Sequence, residues 1–320
     1  MSSDSGPRPP GSIIVHARPY GEALAAGLRS FVPADESILV CPSGDSVPAD
    51  AQVLVTLLDD PVTIRELLVP SIEWVHVLGA GVDGFPFDAL GERPLTCSRG
   101  AAAPAIAEWV LAMLLASEKG LPGAWIDAPP PQWNIHSLGT LVGRTVGLVG
   151  LGAIGTEVAR RVVVFDAEVI AVRRTPEPPS LPEVELVPDL HELLARADHV
   201  VIAAPATPET HHLIDTAAFA AMKPGAHLVN VARGSLVDQD ALRVALDGGQ
   251  LALASLDTVE PEPLPEGHWL YAHPRVRLSA HISWSSPATM SATVSAFAEN
   301  LAKFRAGDEL ARLVDPKAQY

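Results

Sequence analysis

Three charged positions in this chain each follow an apolar, strand-like run, and each has a side chain suited to holding an anion or moving a proton. Arg233 stands in V-N-V-A-R-G-S-L-V-D. A guanidinium at the carboxyl end of such a run lies where open α/β sheets bind ligands. It is costly to bury unpaired, so it meets either a protein acid or an anionic substrate. It can grip a carboxylate in two parallel bonds and polarise a neighbouring carbonyl. Asp257 ends the next run, in A-S-L-D-T-V-E-P-E-P-L, followed by Glu260 and Glu262. Pro261 and Pro263 stiffen that loop and hold a carboxylate in place, but the spacing does not choose between the two glutamates. His281 follows the last run, in R-L-S-A-H-I-S-W-S-S-P, and is the only one of 11 histidines so placed. Paired with a carboxylate, a histidine keeps one tautomer and donates a proton near neutral pH.

These groups acquire meaning beside T-V-G-L-V-G-L-G-A-I-G, Thr145–Gly155. The pattern reads as a strand, then a glycine turn at Gly150, Gly152 and Gly155, then a helix over Thr156–Val164 and a second strand over Glu168–Val172. In that context G-x-G-x-x-G is a dinucleotide-binding fingerprint. Gly150 permits the tight turn, Gly152 lets backbone approach a pyrophosphate, Gly155 lets helix and strand pack closely, and the helix N-terminus presents free N–H groups. The second strand ends in A-V-R-R-T, without the acid that would bind a ribose 2′-hydroxyl. Arg173, Arg174 and Thr175 suit a 2′-phosphate, which makes NADP(H) the expected cofactor and NAD the alternative. Glu177 comes slightly late, though a loop could return it.

The elements that position these groups alternate along the chain. Strands are expected at Ser12–His16, Ser37–Cys41, Gln52–Leu57, Glu73–Leu78 and Leu95–Cys97, with helices at Gly21–Ser30 and Thr63–Val69. From Thr145 the alternation resumes with six strands, the count of a doubly wound dinucleotide domain. The fold class is therefore α/β, with two doubly wound parallel-sheet domains. Between them lie a helix, Ala101–Glu118, and a Pro- and Trp-rich arm, Gly120–Leu141, whose Trp125 and Trp133 mark an interface between two copies. A final helix, Pro287–Arg305, is expected to return to the first domain. That arrangement assigns 1–99 and 287–320 to one domain, 100–286 to the dinucleotide domain, and 101–141 to a dimerisation segment.

Composition narrows the function classes. The chain has 320 residues, 48% hydrophobic and 19% charged, with a net charge of −16. That balance describes a globular protein and argues against nucleic-acid or anionic-membrane partners. Cys41 and Cys97 form no pattern and are expected as buried free thiols. The N-terminal residues read as a frayed tail without the apolar core of a signal peptide, so the cytoplasm is expected. No metal-ligand spacing is evident.

Taken together, the motifs resemble the D-isomer-specific 2-hydroxyacid dehydrogenase family from about Leu78 to Leu301. They comprise A-G-V-D at Ala80–Asp83, A-E-W at Ala107–Trp109, G-L-G-A-I-G, T-P-E-T at Thr207–Thr210, V-A-R-G, D-T-V-E-P-E-P-L and A-H-I-S. The resemblance implies a catalytic set of Arg233, Glu262 and His281, and so favours Glu262 over Glu260. It implies a Rossmann domain inserted in a flavodoxin-like one, and a homodimer. It places Asp257 at the nicotinamide and adds Ala153, Ile154, Ala204, Pro205, Thr210, Val231 and Ala232 to the cofactor set. Gly79, Ala80 and Gly81 would grip a substrate carboxylate through their backbone, and Trp284, at a position usually smaller, would shape the pocket. Ala80 replaces the lysine of phosphite-oxidising relatives, and Glu262 with His281 departs from the formate dehydrogenase pattern. Ala280 stands where a proline is usual, and no regulatory domain is expected after Tyr320. The implied reaction reduces a small 2-oxo acid such as glyoxylate or hydroxypyruvate to the D-2-hydroxy acid in an interdomain cleft. The alternative is a dinucleotide-sensing co-repressor, which keeps the same triad.

Overall fold

Short runs of β-branched and aliphatic residues form the strands of the first unit: β1 (Ser12–His16), β2 (Ile38–Val40), β3 (Ala51–Thr56), β4 (Trp74–Val77) and β5 (Leu95–Cys97), joined in part by α1 (Gly21–Arg29), α2 (Pro61–Leu67) and α3 (Phe87–Leu90). The structure, a computed structural model, describes residues 8–58, 60–134, 137–174 and 178–319. The N-terminal residues 1–7, Thr175 and Glu177 lie outside these described residues. The chain divides into two compact units, Met1–Ala102 with Ser286–Tyr320, and Ala103–Ser285.

In the first unit all strands run parallel in the order β2-β1-β3-β4-β5. This is the flavodoxin-like order. The helix Pro287–Ala306 belongs to this unit because its apolar face is buried here. Phe297 stacks on Trp74 with ring centroids 5.4 Å apart, and Val294, Leu301 and Phe304 join the same cluster. Burying residues of this size stabilises by roughly 1.5–3 kcal/mol each. Ser286 caps the helix start by accepting from the Thr289 N–H, and Gly307 at φ 78° ends it. A forked pair from Arg305 to Glu36, 2.7 Å at each contact, ties the last turn to the loop that leads into β2.

Beneath that helix lies a buried polar chain. The Trp74 indole N–H donates to Thr96 Oγ1 at 2.9 Å, and the two His76 ring nitrogens meet Thr96 Oγ1 at 2.7 Å and Ser98 Oγ at 3.1 Å. Burial, with the charge of Arg312 acting the same way, pushes His76 down to about 3. In the unfolded chain a histidine takes up its proton near pH 6.5. The unfolded state therefore binds more protons between pH 6.5 and 3, and stability falls as pH drops through that window. The expected loss for this one group is about 2 kcal/mol between pH 8 and pH 5. Denaturant titrations at the two pH values, on the wild type and on His76→Gln, check this; a pH dependence of equal size in the variant would refute the assignment.

The second unit holds α4 (Ala103–Glu118), β6 (Thr145–Val149), α5 (Ala153–Val162), β7 (Glu168–Val172), β8 (Val184–Leu186), α6 (Leu190–Arg196), β9 (His199–Ile202), α7 (Thr216–Ala221), β10 (Ala226–Asn230), α8 (Gln239–Asp247), β11 (Leu251–Leu256) and β12 (Val276–Leu278). Its seven parallel strands are ordered β12-β11-β10-β9-β6-β7-β8. Counted within the unit this is 3-2-1-4-5-6 with a seventh strand on the edge, the doubly wound dinucleotide order. The sequence pattern yields six strands; β8 is the addition. It has three residues, sits at the edge and pairs only over Val169–Ala171, too short for an alternation signal. Helix α5 starts at Ala153, three residues before the expected Thr156, because the glycine turn leads straight into it.

Strands β9, β10 and β11 carry a polar seam. His199 Nε2 lies 3.0 Å from Glu118 Oε1, His199 Nδ1 lies 3.2 Å from His227 Nδ1, and His227 Nε2 lies 2.9 Å from Ser255 Oγ. With a carboxylate accepting at one end, neutral rings fit one order: Ser255 donates to His227, His227 to His199, and His199 to Glu118. Burial lowers the pKa of both histidines, against the opposing pull of Glu118 on His199.

Both cysteines are buried and free, and burial pushes both thiols up, away from reactivity. Residues 120–141 form no regular element among those described, and Trp125, Ile126 and Trp133 are largely exposed. The base of this arm is tied by the Gly139 N–H to the Glu118 carbonyl and by the Lys119 ammonium to the Gly139 carbonyl. No helix among the described residues is long and apolar enough to cross a membrane.

Candidate active site and dinucleotide cradle

Strand order reverses between β6 and β9, and the glycine turn sits at the carboxyl end of that gap. Gly150 has φ 101°, and a Cβ there would stand 2.8 Å from the Ala204 backbone nitrogen. At Gly155 a Cβ would strike the Gly150 carbonyl oxygen. Gly152 is different. It is the N-cap of α5, has no side-chain cap, and faces space with no atom within 4 Å of where a Cβ would be. The cap therefore offers the start of α5 no side-chain acceptor, and the place a side chain on Gly152 would fill is open. That is the chemistry a pyrophosphate requires, so the residues present fit a dinucleotide. Ala153 is exposed and Ile154 half-buried on the first turn of the same helix.

Arg173 and Arg174 follow β7, the first half-buried and the second exposed. The N–H of Glu209 itself and the Thr207 hydroxyl lower the Glu209 carboxyl, and the charge of Arg174 adds to this. Ala204 and Pro205 follow β9. The Thr210 hydroxyl donates to the Pro205 carbonyl at 2.8 Å and accepts from the Thr207 N–H at 2.8 Å, so it braces this loop.

Beyond β10, Val231 and Ala232 are buried and lead into Arg233. Asn230, 1% exposed, brackets the turn: its Oδ1 accepts from the Ala232 N–H and its Nδ2 donates to the Arg233 carbonyl. Sequence reasoning passed over Asn230; the available signal was a lone amide ending a strand whose one other polar residue is His227. It also passed over Gly234. A Cβ there would collide with the backbone of Val259 and Glu260, so this glycine lets the Arg233 turn lie against the acidic loop. Gly234→Ala is expected to destabilise the second unit by about 1–3 kcal/mol through overpacking. Denaturant titration measures this, and a change within about 0.5 kcal/mol would show that the loops yield freely.

Of the two candidate glutamates, Glu262 meets the histidine. Its Oε2 lies 2.8 Å from His281 Nδ1, and its Oε1 accepts from the Val259 N–H at 3.0 Å. Burial alone would raise the Glu262 carboxyl. The His281 hydrogen bond, the Val259 N–H and the charges of His281 and Arg233 together outweigh it and hold the carboxyl below its usual range. The Arg233 guanidinium also donates to the Ala232 carbonyl at 2.7 Å. Arginine, glutamate and histidine thus converge from three different strand ends.

Asp257 is 1% exposed, and both carboxylate oxygens are engaged: Oδ1 accepts from Ser279 Oγ and the Ile282 N–H, and Oδ2 from the Ser283 N–H. Trp284, about two-fifths exposed, donates its indole N–H to the His281 carbonyl at 2.8 Å. Gly79, Ala80 and Gly81 belong to the other unit, just past β4, where the Gly79 carbonyl accepts from the Ser98 N–H at 3.0 Å. Among the described residues, one group has metal-ligand chemistry: His211, His212 and Glu260, all exposed, with ligand atoms within 4.8 Å of one another.

Comparison with known proteins places this geometry among relatives. The D-isomer specific 2-hydroxyacid dehydrogenase NAD-binding domain model matches residues 111–283. A D-3-phosphoglycerate dehydrogenase of Mycobacterium bovis is 33% identical over 287 residues, covering 88% of this chain but 51% of the relative. The chain therefore spans about half the length of the phosphoglycerate dehydrogenases it matches. A glyoxylate reductase of Korarchaeum cryptofilum is 34% identical over 278 residues, covering 83% of each protein. Among solved structures, a D-isomer specific 2-hydroxyacid dehydrogenase from Xanthobacter autotrophicus, crystallised with NADPH and MES, superposes with a TM-score of 0.86 at 27% identity. It covers 98% of this chain and 100% of that one.

Proposed function

The chain belongs to the D-isomer specific 2-hydroxyacid dehydrogenase family, and from that premise we propose that it reduces a small 2-oxo acid to the D-2-hydroxy acid with NADPH, NADH being the weaker donor. The observation that carries this reading is the His281–Glu262 pair at 2.8 Å, with the charge of Arg233 acting on the same carboxylate.

The proposed roles follow from chemistry. Arg233 grips the substrate carboxylate and polarises the adjacent ketone oxygen. The backbone of Gly79, Ala80 and Gly81 would also hold a substrate carboxylate. Glu262 accepts a hydrogen bond from the Nδ1–H of His281 and leaves Nε2 to carry the proton that the new alkoxide takes. The dinucleotide, when bound, supplies the hydride. Gly150, Gly152, Ala153, Ile154 and Gly155 would hold its pyrophosphate, Arg173 and Arg174 a 2′-phosphate, and Ala204, Pro205, Thr210, Val231, Ala232 and Asp257 would line the rest of its path. Two features support NADPH: the arginine pair where an acid would bind a 2′-hydroxyl, and the NADPH found in the Xanthobacter relative.

Glyoxylate, hydroxypyruvate and phenylpyruvate, each with NADPH and NADH, form the deciding panel, read as loss of the reduced-nicotinamide absorbance. Turnover of at least one is expected. No turnover across the panel would overturn the reading. We also propose a cytoplasmic homodimer joined through the arm, supported by exposed Trp125, Ile126 and Trp133. Deleting residues 123–131 is expected to weaken association in sedimentation at low protein concentration. A variant that stays dimeric would move the interface elsewhere.

A further inference from the structure

His281 has φ 54°, a left-handed backbone that an unstrained histidine seldom adopts. Such a conformation is strained and persists only where the surroundings over-determine it. Here the surroundings act from both sides of the residue. Upstream, the His281 N–H donates to the Asp257 carbonyl at 2.9 Å. Downstream, the His281 carbonyl accepts from the Trp284 indole at 2.8 Å. The rest of the turn closes on one carboxylate: Ser279 Oγ at 2.5 Å, the Ile282 N–H at 2.9 Å and the Ser283 N–H at 3.0 Å all reach Asp257. Asp257 is itself anchored, its N–H donating to the Asn230 carbonyl at 3.0 Å, on the strand that leads into Arg233. A buried carboxylate is tolerated because these donors replace the water it lost.

We propose that Asp257 and Trp284 are positioning residues: they lock the backbone on either side of His281 so that its imidazole is aimed at Glu262. This rests on the reaction proposed above and assigns Asp257 and Trp284 work beyond a nicotinamide contact and a pocket wall. The two residues act on different bonds, so each can be tested separately. In Asp257→Asn the amide keeps one acceptor oxygen but turns an NH2 group toward backbone N–H donors, which opens the turn. Trp284→Phe keeps an aromatic ring but removes the indole N–H together with the pyrrole half of the bicycle.

The experiment uses the full chain saturated with NADPH and the best substrate of the panel. A displacement of about 1 Å at a reacting group costs about 100-fold in rate. Asp257→Asn is therefore expected to lower kcat by about that factor, and Trp284→Phe by roughly tenfold or less, with the KM of the oxo acid changed less than about threefold. A second readout does not depend on turnover. The proton between His281 and Glu262 is expected as a strongly deshielded proton resonance, assigned by its loss in His281→Gln. It should move upfield or broaden in both variants. Unchanged resonance and kcat in both variants would overturn the proposal. So would an effect of Asp257→Asn confined to the KM of NADPH, or an effect of Trp284→Phe confined to the ranking of substrates. If Asp257→Asn fails to fold, Trp284→Phe decides by the same measures. If the wild type turns over no 2-oxo acid, the reaction assignment fails, while the resonance still decides whether the turn is locked.

Discussion

His281→Ala is expected to lower kcat by about 100- to 10,000-fold, the span associated with losing a positioned acid–base group. The glycine turn at Gly150 and Arg233, the proposed cofactor and carboxylate holds, stay in place, so the KM values for cofactor and oxo acid should move far less than kcat. Steady-state kinetics at saturating NADPH measures both, and a fall below about tenfold would remove His281 from proton transfer. Glu262→Gln tests the partner. The Glu262 carboxyl is held below its usual range, so it is a negative charge next to His281 across the neutral region. Replacing it with a neutral amide removes the group that favours imidazolium. The sign follows: the protonated acid needed for reduction is lost at lower pH, and the basic limb of kcat/KM shifts toward acid. An unmoved limb would return the role to Glu260, which is exposed and lies among His211 and His212. Arg233→Ala should both raise KM and lower kcat, since the same guanidinium is proposed to bind the carboxylate and polarise the ketone.

Replacing Arg173 and Arg174 together with alanine is expected to cost NADPH about 2–4 kcal/mol in kcat/KM while leaving NADH within about 1 kcal/mol, if two charge-assisted bonds to a 2′-phosphate are lost. In the wild type NADPH should have the higher kcat/KM. The two residues sit at the end of β7, the position where doubly wound sheets read the adenosine ribose. Equal losses for both cofactors would show that the pair serves the fold or the surface instead. Thr175 and Glu177, which complete this segment, lie outside the described residues, so the prediction rests on the arginines alone.

Much of this molecule was legible from sequence because its signals are local. A parallel strand buried on both faces must be a short run of β-branched and aliphatic residues, and five strands of the first unit and six of the second carry that mark. Gly150 and Gly155 were legible for a related reason: a turn with φ near 100° and a helix packed on the preceding carbonyl exclude any side chain, so the constraint is written in residue type. The positions of Arg233, Asp257 and His281 at strand ends were legible too, since a strand's carboxyl end can be counted along the chain. Other features depend on partners distant in sequence. The choice between Glu260 and Glu262 could not be made from two identical side chains two residues apart; the folded loop makes it, turning one to His281 and the other outward. Strand β8 exists only because β7 offers it an edge. The polar seam of Glu118, His199, His227 and Ser255 spans four elements, and each member alone reads as an oddity in an apolar run. The grip of Asp257 and Trp284 on His281 is likewise tertiary, because a hydrogen bond needs two groups within about 3 Å and residue order does not specify that distance. Residue order determined which elements form and which chemistry ends them; only folding decided which of those ends meet.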